Sequence, residues 1–479
     1  MPANCRGDAA GTGAAATADR GGEPATAQRL GTVFPLLVRF DVRFGAMARI
    51  KLTYIGGGST RAPGTVASLI ARGEKFPGSE IVLVDLDEGR LETVRRLATR
   101  MAEVRGLDLR IRATTDRAEG IRDADVVLTS FRPGGFEARR LDERIPLRHG
   151  VIGQETQGPG GFFMALRSIA VMKEILADIE RLAPGAYLVN YTNPVNIVSE
   201  AVTHHSPIPT ISLCEGPIYF ARHIVRNAGL DPERLDQTLV GLNHTGWTVR
   251  HLYDGEDVMP LIREAWERRC REPSSNAWAD RMLRLAASMD ALPSGYLYYY
   301  YFREEALAEA LEKQTTRAED IMAEVADYWT HYEEQSVADQ PELDPKRSRG
   351  GILELELAID VIDAIVNDTG AEWPVNVPNR DGALPGFPED LVVEIPAIVD
   401  RNGATPLAVP PLHRQVRGLI EVLGEYQALT AEAAWSGTRR DGIQALASHP
   451  LVVSLSLAER LYDEMAAAHR RYLPDRLLA

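Results

Sequence analysis

A regular alternation beginning at Ile50 constrains this 479-residue chain more than any other feature. Short apolar runs at 50–55, 80–85, 109–113 and 125–130 alternate with amphipathic stretches near 63–72 and 86–105. Gly158-Pro159-Gly160-Gly161 then opens a helix with Leu166, Ile169, Met172, Leu176 and Ile179 on one face, and Pro184-Gly185 stops it. Runs at 186–190 and 210–213 complete the set. Strands apolar on both faces pair in parallel and are covered by helices on each side. Six such strands in about 165 residues have the size of a doubly wound nucleotide-binding domain.

Beyond Asn193 the pattern loosens. Strands are expected at 239–242 and 248–253, flanking Asn243-His244, and helix over much of 261–338 and 353–366. The Pro/Gly/Asn-rich stretch 373–409 reads as loops and short strands, and two helices at 411–434 and 455–472 close the chain. Residues 1–46, rich in Ala and Gly and without helical or strand period, read as a disordered or non-native extension, with Met47 as a natural beginning. The expected organisation is a dinucleotide-binding domain over 47–215 and a mixed α+β domain over 216–479. The second would carry substrate, catalytic and oligomerisation surfaces.

A net charge of −15 argues against a general nucleic-acid binder. No run approaches the length of a membrane span, and the stretch 32–38 makes a poor signal peptide. Cys5, Cys214 and Cys270 form no disulfide framework and suit a reducing cytoplasm.

The first strand ends in Gly56-Gly57-Gly58-Ser59, and Asp85 ends the second. Glycines let the backbone approach a pyrophosphate, the next helix N-terminus stabilises its charge, and the acid accepts from ribose hydroxyls. An acid there favours NAD over NADP. Arg61 departs from the pattern, occupying the place of the third glycine. Cys214 and His244 each end an apolar run. They read either as a buried small residue and a structural imidazole, or as a thiolate and imidazole pair able to hold a transition metal. Five tyrosines crowd 296–301; they suit aromatic packing, though one beside a cation could serve as a base. Arg139, Glu155 and Asn193 fall in segments marked as loops by glycine or proline, where solvated polar residues are the default.

In order, these motifs resemble glycoside hydrolase family 4. They are Gly56-Gly57-Gly58-Ser59, Arg132-Pro133-Gly134-Gly135 with Arg139 and Asp142-Glu143, Gly153-Gln154-Glu155-Thr156, Thr192-Asn193-Pro194, Ser212-Leu213-Cys214, Gly241-Leu242-Asn243-His244 and Tyr296-Leu297. Asn376-Val377-Pro378-Asn379, Val393-Glu394-Ile395-Pro396-Ala397 and His449-Pro450-Leu451-Val452 extend the likeness, which covers Arg49 to the C-terminus. The resemblance implies an NAD- and manganese-dependent glycosidase on a Rossmann-like scaffold of the lactate/malate dehydrogenase kind, outside the two-carboxylate rule. The implied chemistry is redox elimination: oxidation at sugar C3, deprotonation at C2, loss of the aglycone, water addition and re-reduction.

By the same resemblance Cys214 and His244 hold the metal, Tyr296 is the base and Glu155 tunes it. Arg139, Asn193 and Arg317 bind substrate, and Gly56, Gly57, Gly58, Ser59 and Asp85 bind the cofactor. Family members with Cys-Asn-x-Pro tend to act on phospho-β-glucosides, those with Cys-Asp-x-Pro on phospho-α-glucosides, and those with Cys-His on non-phosphorylated α-glycosides. Cys214-Glu215-Gly216-Pro217 fits none, although Pro217 leans toward the phospho-sugar groups and Glu215 resembles a proton donor. The expected substrate is a 6-phospho-β-glucoside, such as a phosphorylated disaccharide, and the expected assembly a homodimer or homotetramer. The alternatives are a family 4 α- or non-phosphorylated glycosidase, and a lactate/malate-type dehydrogenase, whose His–Asp pair and three substrate arginines have no evident counterpart.

Overall fold

The computed structural model describes residues 47–349 and 356–479. The extension expected at 1–46 and the start of the helix expected at 353–366 lie outside the described residues. Six strands build the first half: β1 (Lys51–Ile55), β2 (Ser79–Val84), β3 (Leu109–Thr114), β4 (Val126–Thr129), β5 (Tyr187–Asn190) and β6 (Thr210–Ser212). All pair in parallel, in the order β3-β2-β1-β4-β5-β6. This is the doubly wound arrangement the apolar runs demand. Val126, Val127 and Leu128 on the central β4 are wholly buried, each worth about 1.5–3 kcal/mol over exposure.

The remaining strands are β7 (Leu235–Leu242), β8 (Thr245–Tyr253), β9 (Glu256–Asp257), β10 (Ala371–Pro378), β11 (Val392–Asp400) and β12 (Gly403–Pro406). The sheet continues from β6 through β10, β11, β7, β8 and β9, with β12 on β11. The stretch expected as loops and short strands thus contains a long antiparallel pair inside the sheet. Its prolines mask the strand pattern. Pro374 and Pro396 lie directly opposite each other, and the Pro396 carbonyl faces away from β10 to accept from Leu407 N (2.9 Å), so neither missing N–H interrupts the β10–β11 ladder. One row of register partners, Ser212, Asn376, Glu394 and Gly241, crosses the junction between the two halves.

Val195–His205, Gly216–Asn227 and Arg439–Ser448 are helical, and the 261–338 region divides into several helices ending with Arg317–Ser336. Arg139 lies in the Gly135–Arg148 helix and not in a loop. The last helix, Leu455–Ala468, gives way to a 3-10 turn at Arg470–Tyr472. Among the described residues no helix is long and apolar enough to cross a membrane.

Candidate active site

The glycine turn after β1 packs where side chains cannot. Gly56 has φ +104°, and a Cβ on it would sit 2.1 Å from the Ser130 carbonyl oxygen. A Cβ on Gly58 would meet the Asp85 side chain at 2.9 Å. Asp85 braces this turn: Gly58 N donates to its Oδ2 (2.9 Å) and Leu86 N to its Oδ1 (2.7 Å). Each oxygen keeps a second lone pair for a ribose hydroxyl. Ser59 N closes the turn on the Gly56 carbonyl (3.1 Å), and the Ala62–Ala71 helix starts two residues after Thr60. This cradle fits a dinucleotide pyrophosphate.

A cleft of about 440 Å³ has Arg61, Arg139, Glu155, Tyr296, Arg317 and Arg349 in its walls. Four residues singled out by sequence therefore meet there, together with three that sequence did not assign: Arg349, Gln154 and Arg61. Glu155 Oε2 pairs with Arg132 (2.5 Å) and Arg139 (2.9 Å). Burial alone would raise the Glu155 carboxyl, but Arg132, Arg139 and Arg349 hold it well below the usual carboxylate range. Arg139 also donates to Glu143 Oε1 (2.7 Å), whose Oε2 accepts from Ala318 N (2.8 Å). Glu143 thus fixes the Arg139 helix against the N-terminus of the Arg317 helix. Burial and crowding by Arg61 and Arg132 bring the Arg349 guanidinium down to about 9. Four guanidiniums in the wall face a single lining carboxylate, a balance suited to an anionic ligand.

Tyr296 follows Gly295 in a short 3-10 turn. Its ring lies parallel to His244, with centroids 3.9 Å apart. Burial raises the phenol far above its ordinary value, and the charge of Glu155 adds to this. His244 occupies the two-residue turn between β7 and β8 with φ +71°, a left-handed conformation that strains a non-glycine residue. Ser294 secures it by donating to its carbonyl oxygen. Burial lowers the imidazole to about 4, so it is neutral at physiological pH. Its Nδ1 lies 2.9 Å from Thr156 Oγ1.

Cys214 follows β6 at the start of the Gly216–Asn227 helix, and Gly216 N donates to its Sγ (3.3 Å). Burial, then Glu394 and Glu215, push the thiol up to about 12. Glu394 on β11 is buried and accepts from Asn243 (2.8 Å) and Asn376 (3.1 Å) at one oxygen. Burial raises its carboxyl to about 7. Glu215 accepts from the Tyr191 hydroxyl (2.8 Å). Asn193 precedes a cis proline, and its buried Oδ1 accepts no hydrogen bond among the described residues. That leaves an acceptor for a substrate hydroxyl. A thiol sulfur and a neutral imidazole are donors suited to a divalent transition metal. Among the described residues no group of three or more His, Cys, Asp or Glu could hold an ion.

Residues 51–230 match the model of Family 4 glycosyl hydrolase, and residues 239–452 that of the Family 4 glycosyl hydrolase C-terminal domain. The chain belongs to glycosyl hydrolase family 4. A relative in this family, a probable 6-phospho-β-glucosidase of Bacillus subtilis (strain 168), is 37% identical over 437 residues, spanning 89% of this chain and 98% of the relative. Two family 4 structures superpose closely. A 6-phospho-α-glucosidase from gut microorganisms in complex with NAD and Mn2+ has a TM-score of 0.78 at 27% identity, over 89% of this chain and 99% of the other. The 6-phospho-β-glucosidase of Thermotoga maritima with NAD and glucose-6-phosphate has a TM-score of 0.77 at 28% identity, over 88% and 99%. Glu394 and Thr156 lie inside the sequence motifs at 393–397 and 153–156, but only the fold places them beside Asn243 and His244.

Proposed function

We propose that this family 4 enzyme hydrolyses 6-phospho-β-glucosides by NAD- and Mn2+-dependent redox elimination. The observation that carries the reading is the parallel stack of Tyr296 on His244 beside an arginine-walled cleft. When bound, the dinucleotide and the cation supply reversible oxidation at sugar C3 and electrophilic stabilisation of the oxygen there. The named relatives act on phosphorylated glucosides or are bound to NAD, Mn2+ or glucose-6-phosphate, which supports this cofactor and substrate class.

Residues 47–215 would hold the dinucleotide through Gly56, Gly57, Gly58, Ser59 and Asp85. Residues 216–479 would supply most of the substrate pocket. Cys214 Sγ and His244 would hold the cation. Tyr296 takes the C2 proton onto its phenol oxygen. The ionised Glu155 raises the proton affinity of that oxygen, which makes the phenolate a stronger base once a neighbouring cation favours it. Arg139 counters Glu155 and so keeps the phenolate accessible. Arg139, Arg317 and Arg349 bind the phosphate, and Asn193 accepts from a sugar hydroxyl. Glu215, held by the Tyr191 hydroxyl that donates to it, would in its protonated form give its proton to the leaving oxygen and regain one from the water that adds. Cys214 and Cys270, which form no disulfide among the described residues, fit a reducing cytoplasm, with a homodimer or homotetramer as the working assembly.

A second reading, a phospho-α-glucosidase, draws on the carboxylate of Glu215 beside Cys214. One panel separates the two: nitrophenyl α- and β-glucosides, each with and without 6-phosphate, assayed with NAD+, Mn2+ and a reductant. The proposal expects release from the 6-phospho-β compound without net NADH. Cleavage of only the unphosphorylated or only the α compounds would overturn the substrate assignment. Stoichiometric NADH would make the protein a dehydrogenase.

A further inference from the structure

The loop before the long Gly158–Leu182 helix contains a chain of hydrogen bonds whose proton positions can be deduced. The side-chain oxygen of Gln154 receives the backbone N–H groups of Thr156 (2.6 Å) and Gln157 (2.8 Å). Backbone amides only donate, so the atom facing them is the carbonyl oxygen and not the amide nitrogen of Gln154. The Thr156 hydroxyl lies 2.9 Å from that same oxygen. An amide oxygen carries no proton, so the hydroxyl gives it its only one.

Thr156 Oγ1 then has only lone pairs left. One receives Gln157 Nε2–H at 3.3 Å. The other faces Nδ1 of His244 at 2.9 Å. Two lone pairs facing each other in a buried site would repel, so Nδ1 must carry the proton. A neutral imidazole has one such proton, and Nε2 is left bare.

We propose that Gln154 and Thr156 lock His244 in the Nδ1–H tautomer, so that its Nε2 lone pair is ready to take a metal ion. Both are positioning residues, Thr156 acting through the His244 ring and Gln154 through Thr156. The metal half of this inference rests on the reading of His244 as a ligand, whereas the tautomer half does not. Such outer partners commonly alter metal affinity about 10- to 100-fold when removed. The relay also ties the ion site to Glu155, which sits between Gln154 and Thr156 in sequence. One short loop would therefore set both the tautomer of the ligand and the basicity of Tyr296.

The test uses full-length, metal-free protein labelled with 15N-histidine, with His244 assigned by its absence in His244→Gln. Long-range 1H–15N correlation at pH 7.5 reads which ring nitrogen is protonated. The wild type is expected to show Nδ1–H. Thr156→Ser keeps the hydroxyl and should keep that pattern. Thr156→Val should move population to Nε2–H and weaken Mn2+ binding, measured with Mn2+ alone by electron paramagnetic resonance, about 10- to 100-fold. Wild-type His244 protonated at Nε2 overturns the proposal outright, even if Thr156→Val fails to fold. An unchanged tautomer in a folded Thr156→Val overturns the relay. A changed tautomer with unchanged Mn2+ affinity supports the relay and overturns the metal half, and with it the ligand role of His244.

Discussion

The imidazole of His244 lies flat on the phenol of Tyr296, with planes within 6° and centroids 3.9 Å apart. The pair joins two distant parts of the chain, a hairpin turn between β7 and β8 and the 3-10 turn at Gly295–Leu297. A cation held by the imidazole would act electrostatically on the phenol with little water between them. This is the condition under which a tyrosine whose proton is otherwise held far too tightly can act as a base.

Replacing Tyr296 with Phe removes the proposed base and keeps the stacked ring. The expected result is a loss of about 10²- to 10⁴-fold in kcat, with no incorporation of solvent deuterium at sugar C2. Deuterium exchange persisting in the variant would assign the proton transfer to another group.

Metal affinity should depend on pH through Cys214. With its thiol pushed up to about 12, the metal-free protein keeps that proton, and a cation must displace it. His244, lowered to about 4, is already neutral and contributes nothing above pH 6. Mn2+ affinity is therefore expected to climb about tenfold per pH unit between pH 6 and 9. Cys214→Ser should weaken binding strongly. Titration calorimetry in two buffers of different ionisation heat gives the proton count, and a count of zero would contradict the thiolate role.

Glu394 makes the metal-free fold sensitive to pH in the opposite direction. Burial raises its carboxyl to about 7, above the value of an unfolded chain. Its contribution to stability is then full below the unfolded value and is lost as pH rises through 7. Glu394→Gln cannot ionise and keeps an oxygen for Asn243 and Asn376. Between pH 5 and 8 the variant should gain up to about 3 kcal/mol relative to wild type. Parallel urea-midpoint curves for the two proteins would remove Glu394 as the titrating group.

Asp142 anchors the Arg139 helix from beneath. Its carboxylate takes both amino groups of Arg167, at 2.9 and 2.6 Å, and lies 2.9 Å from His469, with all three side chains inaccessible to solvent. Asp142→Ala strands a buried guanidinium and is expected to cost about 3–5 kcal/mol in urea unfolding. Asp142→Leu combined with Arg167→Met should cost much less, because no charge is left behind.

The parallel half of the sheet was legible because its signals are local: an apolar run, a glycine turn and an acid follow one another within 35 residues of sequence, Lys51 to Asp85. The Arg139 helix was not legible, because its buried face includes Arg139, Asp142 and Glu143, and burying charged residues erases the apolar period that marks a helix. Pro146 inside it and Gly134-Gly135 at its start reinforced the loop reading. The β10–β11 pair was hidden by its own prolines. Arg349 and Glu394 each lie more than a hundred residues from both Cys214 and Arg139 and meet them only through tertiary contacts, so no spacing rule connects them. Within the site, residues in contiguous motifs could be named, while the partners that set their charge and protonation required the fold.

The wedge of β10 and β11 between β6 and β7 has a consequence for how the protein is made. β6 ends at Ser212, but its outer neighbour begins only at Ala371. A ribosome adding residues at ordinary speed needs roughly ten to thirty seconds to bridge that interval. Throughout it the nascent chain carries an open strand flank two residues from Cys214, prone to edge-to-edge association, so yield in a cell depends on how that flank is sheltered until the late hairpin slots in.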